Sequence, residues 1–92
     1  MKGQHMDITT RYITTLRAAG FNADVVGTGG NCEALEVTAG NLRVLVTDDA
    51  QLPDSADYCC VGLYDDQGDI DYADADLATV ADVVRDMLAR VA

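Results

Sequence analysis

The 92-residue sequence has no tryptophan, one proline, one phenylalanine, one histidine and one lysine. None of its apolar runs approaches the roughly 18 residues that a membrane-spanning helix needs, so we expect no contact with a membrane. The N-terminus also lacks the apolar stretch of a signal peptide, which predicts a cytoplasmic protein.

The single lysine and the single histidine, Lys2 and His5, both precede Met6, which would make a natural start. We therefore expect residues 1–5 to be a cloning remnant and residues 6–92 to form a single domain, a native extension being the alternative. From Met6 onward the chain has neither histidine nor lysine, so the usual general bases and amine nucleophiles are missing. We expect no enzymatic activity, no catalytic residue and no cofactor.

Acidic residues dominate the charged residues of the sequence. Sixteen aspartates and glutamates stand against six lysines and arginines, which gives a formal net charge of −10. Between Val44 and Val84 the sequence has eleven aspartates and neither lysine nor arginine. This negative field disfavours direct binding to nucleic acid, and it indicates either a protein partner or a role in solvation.

Hydrophobic periodicity predicts a helix at each end of the chain, with strands between them. The first helix spans residues 7–19 and ends before Gly20, and the second runs from a cap at Asp74 or Asp76 to about Val91. We expect strands at residues 21–26, 32–38, 42–47 and 57–64, and a short edge strand at 69–72.

These elements predict an α+β fold with the order α-β-β-β-β-(β)-α. Both helices would pack on one face of a mostly antiparallel sheet of four to five strands, in two layers. Because side chains alternate along a strand, seven apolar residues can share the face that the helices cover. They are Leu35, Val37, Leu42, Val44, Val46, Val61 and Leu63.

The opposite face of the predicted sheet is partly apolar. Alternation places on it Glu36, Arg43, Leu45, Tyr58, Cys60 and Tyr64. One interpretation is a solvated face with scattered apolar residues. The other is a protein-interaction surface, since tyrosine and arginine are enriched at interfaces. The candidate interaction surface consists of Glu36, Arg43, Leu45, Tyr58 and Tyr64.

We interpret the glycine-rich loop and the three cysteines as structural features. The glycine-rich loop at residues 27–31 precedes a strand, whereas a phosphate cradle lies at a helix N-terminus. The three cysteines are Cys32, Cys59 and Cys60. Two of them are adjacent and point to opposite faces of a strand, which suits neither a redox motif nor a zinc site. We expect reduced thiols that act as small apolar side chains.

An acidic tract follows the fourth strand. It consists of Asp65, Asp66, Asp69, Asp71, Asp74 and Asp76. Hard cations favour clustered carboxylates, but the spacing of an EF-hand loop and its distant glutamate are absent. We therefore expect a solvated turn and a helix cap at these positions, and no metal.

Three short segments resemble small uncharacterised acidic proteins of actinobacteria and their bacteriophages. The segments are Gly29-Gly30-Asn31-Cys32-Glu33-Ala34, Leu45-Val46-Thr47-Asp48 and Gly62-Leu63-Tyr64-Asp65. The resemblance implies an actinobacterial or phage source, and the host cytoplasm as the compartment of a phage protein. It implies no activity and no functional residue.

Four functions stay open at this point. The first is a small protein-binding or regulatory protein of unidentified partner, with a homodimer as one form of that contact. The second is an acidic mimic of nucleic acid, which would inhibit a host protein that binds DNA or RNA. The third is a small-molecule binder, for which we note a polar group at Asn31, Cys32 and Thr47. The fourth is acidity that serves solubility alone.

Overall fold

Two helices flank five consecutive strands in the computed structural model, which describes residues 7–91. The elements are α1 (Ile8–Ala18), β1 (Asn22–Gly29), β2 (Cys32–Ala39), β3 (Leu42–Thr47), β4 (Cys59–Asp65), β5 (Gly68–Ala75) and α2 (Val80–Val91). This order confirms the predicted α+β fold. The cloning remnant expected at residues 1–5 lies outside the described residues.

The five strands form one open antiparallel sheet in the order β1-β2-β3-β4-β5, so each strand pairs with its neighbour in the sequence. Short turns join the first three strands, with Gly30 at a φ of 57° and Gly40 at 63°. Each glycine occupies the first central position of a two-residue turn. The twist of a hairpin requires a positive φ at that position, which glycine adopts more readily than residues with a side chain. The whole sheet is therefore built from local pairings.

The structure corrects one predicted boundary and decides between the two alternatives at another. Residues 27–31 were expected to be a loop, but β1 continues to Gly29 through an irregularity in its pairing with β2. The second helix begins at Val80, and of the two predicted caps only Asp76 lies at its start. Asp74 belongs to β5, where it pairs with Cys60. Pairing with β4 extends β5 beyond the segment that its own composition favours.

Asp76 caps the turn that leads into α2. Its carboxylate accepts a hydrogen bond from the backbone N–H of Thr79 at 2.9 Å, and the Thr79 hydroxyl accepts one from the Asp76 N–H at 3.1 Å. This reciprocal arrangement satisfies backbone donors that a helix start leaves without partners. Asp7 caps α1 through a single such bond, since its carboxylate accepts from the Thr10 N–H at 2.7 Å.

Both helices pack on the same face of the sheet. The core combines Tyr12, Leu16, Val80, Val84 and Met87 of the helices with apolar side chains from all of the first four strands. Of the seven residues predicted for this face, Leu42 is partly buried and the other six are buried. Removing this apolar surface from water is the main stabilising contribution available to so short a chain.

Tyr12 connects α1 with the long loop between β3 and β4. Its side chain is fully buried, and its hydroxyl donates a hydrogen bond to the Ser55 carbonyl at 2.8 Å. The same hydroxyl lies 3.4 Å from the Tyr58 carbonyl, just before β4. One turn earlier, the Thr9 hydroxyl donates to the Pro53 carbonyl at 3.1 Å. The first helix thereby holds the loop and the start of β4 in place.

The tight turn from Asp48 to Gln51 places two residues other than glycine in the left-handed region. The φ angle is 53° at Asp49 and 65° at Ala50, and two backbone hydrogen bonds of 2.8 and 3.1 Å close the turn. Positive φ at both central residues is typical of a type I′ turn, which favours glycine at the second of them.

We expect Ala50→Gly to raise the free energy of unfolding by about 0.5–1 kcal/mol, because glycine adopts a positive φ without the strain that alanine has there. This gain exceeds the opposing effect of the greater conformational entropy of glycine in the unfolded chain. Urea denaturation followed by circular dichroism measures the change. Ala89→Gly, on the exposed side of α2, is the control and should destabilise by about 1 kcal/mol. Equal destabilisation by both substitutions would contradict this account of the turn.

Candidate functional site: the open face of the sheet

The sheet has one face that neither helix covers, which we call the open face. Strand register places fifteen residues on it. They are Asn22, Asp24, Val26, Ala34, Glu36, Thr38, Arg43, Leu45, Thr47, Cys60, Gly62, Tyr64, Asp69, Tyr72 and Asp74. Two rows cross all five strands, and in one of them Leu45 lies between Glu36 and Gly62.

The structure brings together the residues of the predicted interaction surface. Glu36, Arg43, Leu45 and Tyr64 lie on the open face, and Cys60 joins them as expected. Tyr58 precedes β4 and was wrongly placed inside a strand, yet its hydroxyl reaches Asp74 of the same face at 3.0 Å.

A pair of tyrosines lies toward the β5 edge of this face. The rings of Tyr64 and Tyr72 meet edge to face, with centroids 6.0 Å apart and planes at 88°, and their hydroxyls lie 3.3 Å apart. Gly62 forms the floor beneath them, because a Cβ atom at that position would lie 3.0 Å from atoms of both rings. The absence of a side chain at Gly62 is thus what lets the two rings approach each other over the sheet.

Tyr72 is the residue of this face that the sequence interpretation missed as a functional candidate. Its side chain is 53% exposed, the largest exposed fraction among the large apolar residues of the described chain. Extending the alternation of β4 onto an antiparallel fifth strand would have placed Tyr72 opposite Gly62, as the structure does. The acidic composition of β5 concealed that signal, since aspartate is rare in strands.

Negative charge surrounds the tyrosines. The open face carries four carboxylates, those of Asp24, Glu36, Asp69 and Asp74, and one guanidinium, that of Arg43, so its formal charge is −3. Arg43 is only loosely paired with Glu36, at 3.7 Å. The face therefore combines exposed aromatic surface with an excess of negative charge.

Two of the tyrosine hydroxyls respond to this environment. The hydrogen bond that Tyr58 donates to Asp74 is the main reason that its pKa is raised. The pKa of Tyr72 is raised first by the hydrogen bond with Tyr64, and then by reduced solvation and by the charges of Tyr64 and Asp69. Both hydroxyls stay neutral at physiological pH and can donate hydrogen bonds.

The acidic tract does not form a single strip. Asp69 and Asp74 lie on the open face, whereas Asp71 lies on the opposite face and pairs with Arg90 of α2 at 3.6 Å. Asp65 and Asp66 lie at the turn between β4 and β5. Together with the capping role of Asp76, this division gives most of the tract an ordinary structural role.

Cys59 and Cys60 point to opposite sides of β4, as predicted. Cys59 is fully buried in the core, and burial raises its pKa to about 11. Cys60 lies on the open face, where burial and the charge of Asp74 raise its pKa. Thiols with raised pKa values are poor nucleophiles at neutral pH.

An open depression of about 500 Å³ lies beside the turn from Asp48 to Gln51. Glu33, Asp48, Asp49, Gln51, Leu52 and Asp54 line it. The lining thus differs from the predicted polar group at Asn31, Cys32 and Thr47. Within residues 7–91, no three histidine, cysteine, aspartate or glutamate side chains are arranged so that they could hold a metal ion.

Neither a protein-family model, nor a curated protein sequence, nor a solved structure matches the chain. Neither helix within residues 7–91 has the length and apolar character that a membrane crossing requires.

Proposed function

We propose that this chain is a small, non-enzymatic protein-binding or regulatory protein that contacts its partner through the open face. The observation that supports this proposal most directly is the exposure of Tyr58 and Tyr72, 42% and 53%, beside the half-buried Leu45. Tyrosine supplies a large contact area with few rotatable bonds, which is why it is enriched where proteins meet.

The two edges of the sheet support a contact through the face in preference to strand addition. At the β1 edge, the Ala23 carbonyl accepts a hydrogen bond from Arg17 Nε at 3.0 Å, and Arg17 also pairs with Asp24 at 2.8 Å. In the other edge strand, the Tyr72 N–H donates to the carboxylate of Asp71 at 2.9 Å. Side chains of the protein itself thus occupy backbone groups that an added strand would need.

Charge favours a different protein over a second copy as the partner. A symmetric dimer through the open face would bring two surfaces of formal charge −3 together, and like charges across an interface disfavour association. The dispersed acidic tract, for its part, offers no observation that favours mimicry of nucleic acid. We place the protein in the cytoplasm of an actinobacterium or of a phage-infected host, as the sequence resemblance implies.

Affinity capture with matched variants tests this proposal. The immobilised protein, the variant Tyr58→Ala/Leu45→Ser and the control Val25→Ser/Val91→Ala are exposed to an actinobacterial lysate at low and high salt. Val25 and Val91 are 40% and 41% exposed but lie off the open face, so the control alters exposed apolar side chains elsewhere on the protein.

We expect at least one protein to bind the wild type and the control but not the open-face variant. Once purified, that protein should lose about tenfold or more in affinity for the open-face variant, as interface tyrosines commonly contribute. Circular dichroism of both variants confirms that they are folded. Binding that both double variants retain equally, or the absence of any captured protein, would refute a role for the open face.

A further inference from the structure

We propose that the partner presents an arginine-bearing segment, and that a guanidinium of this segment packs against the Tyr64–Tyr72 pair while neighbouring cations meet the carboxylates around it. This inference rests on the proposed function, because it specifies the chemistry of the partner for the same face. It is carried by the geometry of the two rings and by the charges that border them.

The two rings form the walls of a corner above Gly62. They stand at 88° to each other on a floor without a side chain, and neither ring belongs to the core beneath the helices. The face of an aromatic ring attracts a cation within about 6 Å of its centroid, and a planar guanidinium can also stack on the ring. The chain uses the same interaction internally, since the Arg85 guanidinium lies 5.8 Å from the centroid of Phe21.

Carboxylates lie near the ring pair, where the other cationic side chains of an arginine-bearing segment would reach them. Asp69 is directly opposite Tyr64 in the register, and Asp74 holds the Tyr58 hydroxyl. Glu36 lies on the far side of Leu45, in the same row as Tyr72. An extended segment crossing the face would thus meet an aromatic corner with acids on either side. Arginine fits this arrangement better than lysine, because its planar fork can bind a carboxylate through two hydrogen bonds.

A second copy of the chain cannot easily supply these cations. Three of the five arginines, Arg17, Arg85 and Arg90, are paired with carboxylates of the same chain at 2.8 to 3.1 Å, and Arg43 lies 3.7 Å from Glu36. Nucleic acid and anionic lipid surfaces carry charge of the same sign as the face and would be repelled. The complementary occupant is therefore a positively charged polypeptide segment.

A tryptophan-labelled peptide makes the test selective. The chain has no tryptophan, so the fluorescence of an oligo-arginine peptide of about six residues with one tryptophan reports only on the probe. The probe is titrated with the wild type, with Tyr64→Leu/Tyr72→Leu and with the control Val25→Ser/Val91→Ala. The tyrosine variant keeps the net charge and most of the apolar area, so it isolates the contribution of the rings.

We expect the tyrosine variant to bind oligo-arginine about tenfold more weakly than the wild type, and the control to bind within about twofold. A matching oligo-lysine probe should bind the wild type several-fold more weakly than oligo-arginine, a difference that the tyrosine variant abolishes. Gly62→Ala is a second variant that displaces both rings without removing them, and it should weaken oligo-arginine binding in the same direction.

Equal binding of oligo-arginine by the wild type and both ring variants would overturn the inference, because attraction would then come from the net charge alone. That result would leave the capture experiment intact, since it depends on Tyr58 and Leu45 and on a protein selected from the lysate. The converse outcome is a capture experiment that yields no open-face-dependent protein while the probe still binds through the rings. That combination would refute the proposed function but not the inference that the ring pair binds arginine.

Discussion

Tyr12→Ala is expected to lower the free energy of unfolding by about 4 kcal/mol, a large part of the stability of a small domain. The substitution removes a fully buried ring from the core between α1 and the sheet. It also removes the hydroxyl that donates to the Ser55 carbonyl at 2.8 Å, so the loop before β4 loses its main connection with α1. Urea denaturation followed by circular dichroism measures the loss.

Tyr12→Phe separates the two contributions. It keeps the ring and removes only the hydroxyl, so we expect a loss of about 1–2 kcal/mol, the usual effect of leaving a partly buried carbonyl without its partner. Circular dichroism of the folded variant should match the wild type. If alanine and phenylalanine destabilised the protein equally, the packing of the Tyr12 ring would contribute nothing, contrary to its complete burial.

Raising the pH from about 9 to about 11 is expected to remove up to about 2–3 kcal/mol of stability through Cys59 alone. Burial raises the pKa of this thiol from 9.0 to about 11, so the folded state holds its proton where the unfolded state has lost it. The contribution is fully present below pH 9 and is lost as the pH rises through the folded value. Urea denaturation at several pH values above neutrality measures the slope.

Cys59→Ala is the control for this pH dependence. The variant should be less stable at neutral pH, because a buried side chain becomes smaller, but its stability should fall less steeply in alkali. The buried Tyr12 hydroxyl contributes a loss of the same sign in both proteins, since burial is the main reason that its pKa is raised. Identical slopes for the wild type and the variant would show that Cys59 ionises as easily in the folded state as in the unfolded one.

The loop that Tyr12 holds connects stability with the proposed binding surface. The Tyr12 hydroxyl lies 3.4 Å from the carbonyl of Tyr58, whose own hydroxyl is bonded to Asp74 on the open face. The packing of α1 on one side of the sheet thus positions an exposed tyrosine at the border of the other side. Loosening this connection should increase the disorder of Tyr58 in the unbound protein and raise the cost of ordering it on binding.

Much of the fold follows from patterns that act over short distances. The apolar spacing of α1, the stop at Gly20 and the alternation of β2, β3 and β4 predicted the elements and the face that the helices cover. Strands joined by tight turns pair with their neighbours, so local signals were sufficient to predict an antiparallel sheet. The predicted interaction surface followed from the same alternation.

The errors lie where pairing with a neighbouring strand overrides the preference of a segment's own residues. The aspartates around Ile70 predict only a short strand, but β4 supplies a paired edge and β5 continues to Ala75. The second helix consequently starts later, at Val80, and Asp74 serves the open face instead of a helix cap.

The sequence by itself determined the order of elements, the strongly negative charge and the alternation that leaves one face of the sheet uncovered, because each of these depends on residue type and local spacing. Only the tertiary structure decided which aspartates share a face, and that Tyr64 and Tyr72 meet above Gly62. That meeting depends on the register between β4 and β5, and shifting this register by one residue would turn Tyr72 to the other side. The acidic half of the chain thus divides among turns, a helix cap, an ion pair and the open face, and only part of it borders the aromatic pair.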